Sequence, residues 1–129
     1  MSLTVSVHSK EAGVYVVVPD GVIDAQTCGV LESTLKPLLV SPTKAVVLDM
    51  TAVSYISSLG LSVIFRTKEA LEKNKGALLL TNLQPQITKV FEVIRAIPEY
   101  LFATMEETDT YLDRFLAEIE KKEPDQGSA

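Results

Sequence analysis

The sequence predicts one α/β domain: a mixed sheet of four to five strands, with about four helices packed mainly on one face. Three features lead there. Short β-branched or apolar runs at residues 14–18, 45–48 and 77–80 alternate with longer segments whose apolar residues recur every three or four positions. Gly, Pro, Asn and Ser punctuate the boundaries. A length of 129 residues, 47% of them hydrophobic, is enough for a single core without disulfides or metal.

At the start, Leu3, Val5 and Val7 alternate with Thr4, Ser6 and His8, the period of a half-buried edge strand. A turn through Gly13 leads to Val14-Tyr15-Val16-Val17-Val18, a run suited to an inner strand, and Pro19-Asp20-Gly21 is expected to stop it. The two strands read as an antiparallel hairpin. Asp24 then precedes a helical pattern of Cys28, Leu31, Leu35 and Leu38, and is placed to cap it. Pro37 should end or kink that helix, because an interior proline removes a donor and clashes with the previous turn.

Ala45-Val46-Val47-Leu48 is the next strand, closed by Asp49 and Met50 and followed by an expected loop through Tyr55. Ser57 or Ser58 caps a second helix running to about Lys75, with Leu61, Ile64, Phe65, Lys68 and Leu71 on one face and Gly76 as its stop. Ala77-Leu78-Leu79-Leu80 is a fourth strand, and Asn82 lies on the loop after it. Pro85 opens a helix with Ile87, Val90, Phe91, Ile94 and Ile97 on its apolar side, ended by Pro98. Leu101-Phe102-Ala103 adds a short fifth strand. Thr104-x-x-Glu107 is a capping box for a last helix with Leu112, Phe115, Leu116 and Ile119 on its apolar side. The domain is therefore expected over residues 1–120, with a disordered tail at 121–129.

In open α/β sheets, binding sites gather beyond the carboxyl ends of parallel strands. Here those ends lead to Asp24, to Ser57-Ser58 and to Asn82. A helix start carries unpaired N–H groups and the positive end of the dipole, so the serine turn accommodates a hydroxyl or an anion. A single cysteine, Cys28, excludes an internal disulfide and is expected to pack rather than react. The single histidine, His8, lies far back in sequence on an edge strand, and no Gly-x-Ser-x-Gly elbow surrounds the serines, so an enzyme is not expected. A net charge of −5 argues against nucleic acid or an anionic membrane as partner and accommodates a protein with a basic patch. No stretch is long and apolar enough for a bilayer span, and no secretory pattern opens the chain; a cytoplasmic location is expected.

Gly21-Val22-Ile23-Asp24, Val46-Val47-Leu48-Asp49-Met50 and Tyr55-Ile56-Ser57-Ser58-Leu59-Gly60-Leu61 together resemble the STAS domain, and within it the bacterial anti-sigma factor antagonists. The resemblance runs over nearly the whole chain and implies a STAS-like fold. In that family an apolar pair precedes Asp-Ser-Ser-Gly-Leu-Gly at the start of the second helix. The first serine of that motif is phosphorylated by the anti-sigma factor, itself a serine kinase. In this chain Ser57 takes the place of the aspartate and Ser58 that of the phosphorylated serine; Leu59 replaces the second serine and Ser62 the second glycine, while Gly60 and Leu61 match. Asp24 matches an acidic position near the first helix.

The resemblance implies phosphorylation at Ser58, with Ser57 the second candidate. It also implies partner contact through Asp24, Ser57, Ser58, Leu59 and Gly60, with Asn82 joining them from its strand end. The implied partners are an anti-sigma factor and a phosphatase for the phosphorylated form, with no cofactor. A phosphate adds about −1.5 to −2 charges, which a helix N-terminus tolerates and an apolar or acidic interface does not. The alternative is a non-phosphorylated STAS scaffold or cytoplasmic subunit of a transport complex.

Overall fold

The computed structural model describes residues 2–40, 42–93, 101–102, 108–110, 112–114 and 116. Strands β1 (Leu3–Glu11) and β2 (Val14–Ile23) form the expected antiparallel hairpin, with Val7 opposite Val17 and Leu3 opposite Gly21. Helix α1 (Cys28–Leu35) follows and passes at Pro37 into a 3-10 turn, Lys36–Leu38. Next come β3 (Ala45–Asp49), β4 (Ala52–Ile56), α2 (Ser58–Lys73), β5 (Ala77–Thr81), α3 (Pro85–Val93) and β6 (Leu101–Phe102). The sheet order is β1-β2-β3-β5-β6, and β4 also pairs with β2. Every pairing except the hairpin is parallel.

Two strands depart from the sequence expectation. Pro19-Asp20-Gly21 does not stop β2, which continues to Ile23. The reason lies in what β2 pairs with: β3 takes Val14 to Val17 and β4 takes Asp20 to Ile23. Pro19 falls between these two ladders, so on that side its missing N–H leaves no bond to β3 or β4 unmade, while on the other side it lies opposite Val5 of β1. Gly21, at φ 130, supplies the kink beside the register shift at Val22 and admits Ser2 O, which a Cβ would meet at 2.4 Å.

The second correction concerns residues 50–55, expected as a loop. After Asp49 the chain steps sideways, with Met50 N donating to Thr81 O at 2.9 Å and Val53 N to Met50 O at 3.1 Å, and then resumes as β4. β3 and β4 are thus two pieces of one interrupted ribbon beside β2. Val53 and Ile56 point inward and Ser54 and Tyr55 outward, an alternation too short and too offset to be read as a strand from sequence.

The period of two along the strands sorts their side chains onto two faces. Val46, Leu48, Leu78 and Leu80, with Val17 and Ile23, join Leu31 and Leu35 of α1, Leu61, Ile64 and Leu71 of α2, and Ile87 and Phe91 of α3 in the main core. Phe65 meets Phe91 edge to face at 6.2 Å. Val14, Ala45, Val47, Ala77 and Leu79 form the other face, covered by Leu112 with Leu116 packed beside it. Three helices therefore share one face, and the helical residues 108–110, 112–114 and 116 cover the other. Leu101 and Phe102 pair with β5 as expected. Ile94, Ile97, Pro98, Ala103, the Thr104-x-x-Glu107 box, Phe115, Ile119 and the tail at 121–129 lie outside the described residues.

Both ends of α2 depend on backbone detail. At its C-terminus Lys75 N donates to Glu72 O at 3.0 Å and Gly76 N to Leu71 O at 2.7 Å, the Schellman pattern. The left-handed residue there is Lys75, at φ 63, and not the expected Gly76. Gly76 is instead small for space, since a Cβ would lie 3.2 Å from both Leu71 O and Lys44 O. At the N-terminus Gly60 seats the first turn against the sheet: a Cβ there would lie 2.7 Å from Ile23 Cγ2, 2.9 Å from Ile56 Cγ1 and 3.0 Å from Ile23 O.

Lys75→Gly should raise stability by about 1 kcal/mol by removing the left-handed strain, read as a higher melting temperature. Gly60→Ala should do the opposite despite alanine's better helix propensity. Two buried isoleucines must shift, at about 1–3 kcal/mol, and the urea midpoint should fall accordingly.

Candidate functional site

The serine turn begins where β2 and β4 end together. Ile23 and Ile56 are register partners, and Ser57 N donates to Ile23 O at 2.8 Å, so Asp24 and Ser57 leave the sheet side by side. Ser57 is the N-cap of α2: its backbone is extended, at φ −91 and ψ 172, and its Oγ accepts from Gly60 N at 3.2 Å. Its carbonyl accepts from Leu61 N at 2.9 Å. Ser58 is the first helical residue and is exposed, and its hydroxyl has no hydrogen-bond partner among the described residues. The two serines thus divide the work: one hydroxyl holds the helix end and the other faces solvent. Two exposed apolar side chains flank them, Tyr55 at 54% and Leu59 at 52%.

Asp24 was expected to cap α1. It caps the turn before it instead. Asp24 Oδ1 accepts from Gln26 N at 2.9 Å and Thr27 N at 3.1 Å, while its carbonyl accepts from Cys28 N at 2.8 Å. Thr27 holds the N-cap position of α1 without a side-chain cap bond. Its hydroxyl accepts from Asp24 N at 2.9 Å and lies 2.7 Å from Val22 O and 3.1 Å from Asp24 Oδ1, tying the turn to the end of β2. Desolvation pushes the Asp24 carboxyl up, but the Gln26 and Thr27 N–H groups and the Thr27 hydroxyl outweigh it and hold the group below its ordinary range. A fixed anion therefore stands beside the serines at neutral pH.

Asn82 is placed elsewhere. It sits at φ 60 after β5, and its Nδ2 donates to Asp49 Oδ1 at 3.3 Å. Asp49 also accepts from Thr51 N at 3.1 Å and from the Thr51 hydroxyl. Gln84 Nε2 donates to Thr51 O at 2.8 Å, so these residues clamp the β5–α3 loop to the step between β3 and β4. Leu48 faces Val17 of β2 whereas Ile56 faces Ile23, which sets the serine turn roughly 20 Å farther along β2 at the usual strand rise. Asp24, Ser57, Ser58, Leu59 and Gly60 are brought together; Asn82 is not.

Sequence reasoning missed Tyr55 and Gln86. Tyr55 belongs to the turn in sequence, but its exposure beside the serines follows from β4, which no local alternation predicts. Gln86 Nε2 donates to Ser54 O at 3.1 Å and brings the start of α3 alongside β4, a contact between distant residues with no local sequence signal. His8 faces Val16 on β1, about 23 Å along the sheet from the turn, so it supplies no base to Ser58. Cys28 is half-buried at the start of α1, with Sγ 3.7 Å from Ala25 O. No helix among the described residues is long and apolar enough to cross a membrane.

With this geometry in hand, the chain is similar to several known proteins. It is 32% identical to BtrV of Bordetella bronchiseptica over 84 residues, covering 65% of this chain and 72% of BtrV. It is 30% identical to the anti-sigma-B factor antagonist of Staphylococcus aureus over 79 residues, 61% of this chain and 73% of that protein. Its fold matches that of the anti-sigma factor antagonist SpoIIAA in its unphosphorylated form, at a TM-score of 0.73 and 18% identity over 85% of this chain and 96% of that one. The phosphorylated form of Bacillus SpoIIAA matches at a TM-score of 0.68 and 18% identity, over 84% of this chain and 99% of that one. The STAS domain family model matches residues 7–108, most of the chain, and the protein belongs to the STAS domain family.

Proposed function

We propose that this protein is an anti-sigma factor antagonist, switched by phosphorylation of Ser58. One observation carries the reading: at the turn where β2 and β4 end, the Ser57 hydroxyl is engaged as the helix cap and the Ser58 hydroxyl is exposed and unpartnered among the described residues. The names of the Staphylococcus aureus relative and of SpoIIAA support the role, and the two forms of SpoIIAA support a phosphorylated state within the fold.

In this reading the unmodified protein binds the anti-sigma factor through Tyr55, Leu59 and the Asp24 turn. The two apolar side chains lose water on contact, and the Asp24 carboxylate meets a basic group of the partner. The anti-sigma factor, acting as a serine kinase, transfers the terminal phosphoryl group of ATP to Ser58 Oγ; the hydroxyl loses its proton and ADP leaves. The added dianion is satisfied by the free N–H groups and dipole of α2 while it faces water. Within the interface it would lie among apolar groups and near the Asp24 anion. Burying such a charge unpaired costs several kcal/mol, and each 1.4 kcal/mol is about tenfold in affinity. The complex therefore dissociates, and a phosphatase hydrolyses the ester to restore the hydroxyl.

Incubation with the anti-sigma kinase of the same genome and ATP should add one phosphate to the native chain and to Ser57→Ala, and none to Ser58→Ala. The Ser57→Ala chain should also melt earlier, having lost about 1 kcal/mol of capping. An unmodified native chain in that mass measurement would reject the switch and favour the scaffold reading.

By calorimetry Ser58→Ala should bind the partner as the native chain does and Ser58→Asp more weakly. Asp24→Asn should also bind more weakly, with little change in melting temperature near neutral pH. The Asp24 carboxyl is held below its ordinary range, so any stability it adds is present above the unfolded-state value and is lost as pH falls through the folded one. The small stability difference between native and Asp24→Asn should therefore be greatest near neutral pH and vanish in acid.

A further inference from the structure

The outer edge of β1 has no strand partner among the described residues. It is nine residues long, from Leu3 to Glu11, with no proline. At the far side of the sheet the described part of β6 is Leu101–Phe102, and β4 has α3 packed alongside it. Proteins usually blunt a long edge with proline, a bulge or a central charge, because its free N–H and C=O groups recruit another strand. On β1 the register shift comes only between Ser9 and Glu11, and the charged residues Lys10 and Glu11 sit at the same end.

We infer that β1 pairs antiparallel with β1 of a second copy of this chain, about a two-fold axis through Val7. Two independent features fit that occupant. The first is the pattern of charge. Pairing about Val7 sets His8 against Ser6, Lys10 against Thr4 and Glu11 against Leu3, so no like charges face each other and Val7 faces Val7. The second is shape. On the face that carries α1, Leu3 is buried and Val5 half-buried, but Val7, at 40% exposure, and the residues beyond it are open. The two-fold sets the covered half of each strand beside the bare half of the other, so the two α1 helices flank opposite ends of the joined sheet without meeting at its centre. The contact is isologous and closes on itself, as a two-fold interface must.

This inference does not rest on the anti-sigma reading. Val7 faces Val17, six residues before the end of β2, and the serine turn lies beyond that end. Sedimentation of the full native chain over a range of concentrations should reveal a two-chain species. Val7→Lys and Val7→Glu should each weaken it about tenfold or more, by opposing like charges at the axis, with the far-ultraviolet circular dichroism spectrum unchanged. Mixing the two variants should restore the two-chain mass. Hydrogen exchange on the native chain gives a reading free of substitutions: β1 amides that face away from β2 should gain protection as concentration rises. A native chain that sediments at one-chain mass throughout would overturn the inference. So would a Val7→Lys chain that dimerises as tightly as the native one, since that places the contact on another surface.

Discussion

The parallel pairing of β2 with two successive strands is the constraint on which the rest of this structure depends. β2 is long enough to serve β3 along its first half and β4 along its second. The gap between the ladders accommodates Pro19, and Gly21 at φ 130 makes the bend just beyond it. The double pairing also requires the sidestep at Met50 and Thr51, which Asp49, Asn82 and Gln84 hold in place. The outcome is that Ile23 and Ile56 end level, and the Asp24 turn and the start of α2 emerge next to each other.

That placement gives the serine turn its chemistry. A helix start needs acceptors for its free N–H groups, and Ser57 provides one. Once Ser57 is engaged, Ser58 is left at the positive end of a sixteen-residue helix with its hydroxyl in water. Gly60 allows the turn to sit this close to the sheet, because the space a side chain would need is taken by Ile23 and Ile56. The local rule for capping and the packing of the turn therefore act through the same four residues, 57–60. On the proposed reading, these residues turn one added phosphate into a change of partner affinity.

The two faces of the sheet are filled differently. The main face carries a layered core of aliphatic side chains and the Phe65–Phe91 contact, while the described residues put Leu112 and Leu116 over a smaller cluster of Val14, Ala45, Val47, Ala77 and Leu79 on the other. Lys10 of β1 reaches Asp109 at 3.0 Å beside that face. Among the described residues the outer edge of β1 has no strand partner between these layers.

The alternating and 3.6-residue periods, with their punctuation, were enough to determine the α/β class, the hairpin, the boundaries of most elements and the serine turn. Each depends on neighbours a few residues apart, so a single chain displays it. A serine cap at 57 or 58 is legible for the same reason, and the structure assigns it to Ser57. Tertiary structure alone decided the extension of β2 through Pro19, the existence of β4, the left-handed Lys75 and the separation of Asn82 from the turn. A proline is harmless only if no strand needs its N–H, and a broken alternation becomes a strand only if another strand supplies its ladder. The ladders that decide both join β2 to β3 and β4, distant in the chain, and no local pattern encodes that meeting.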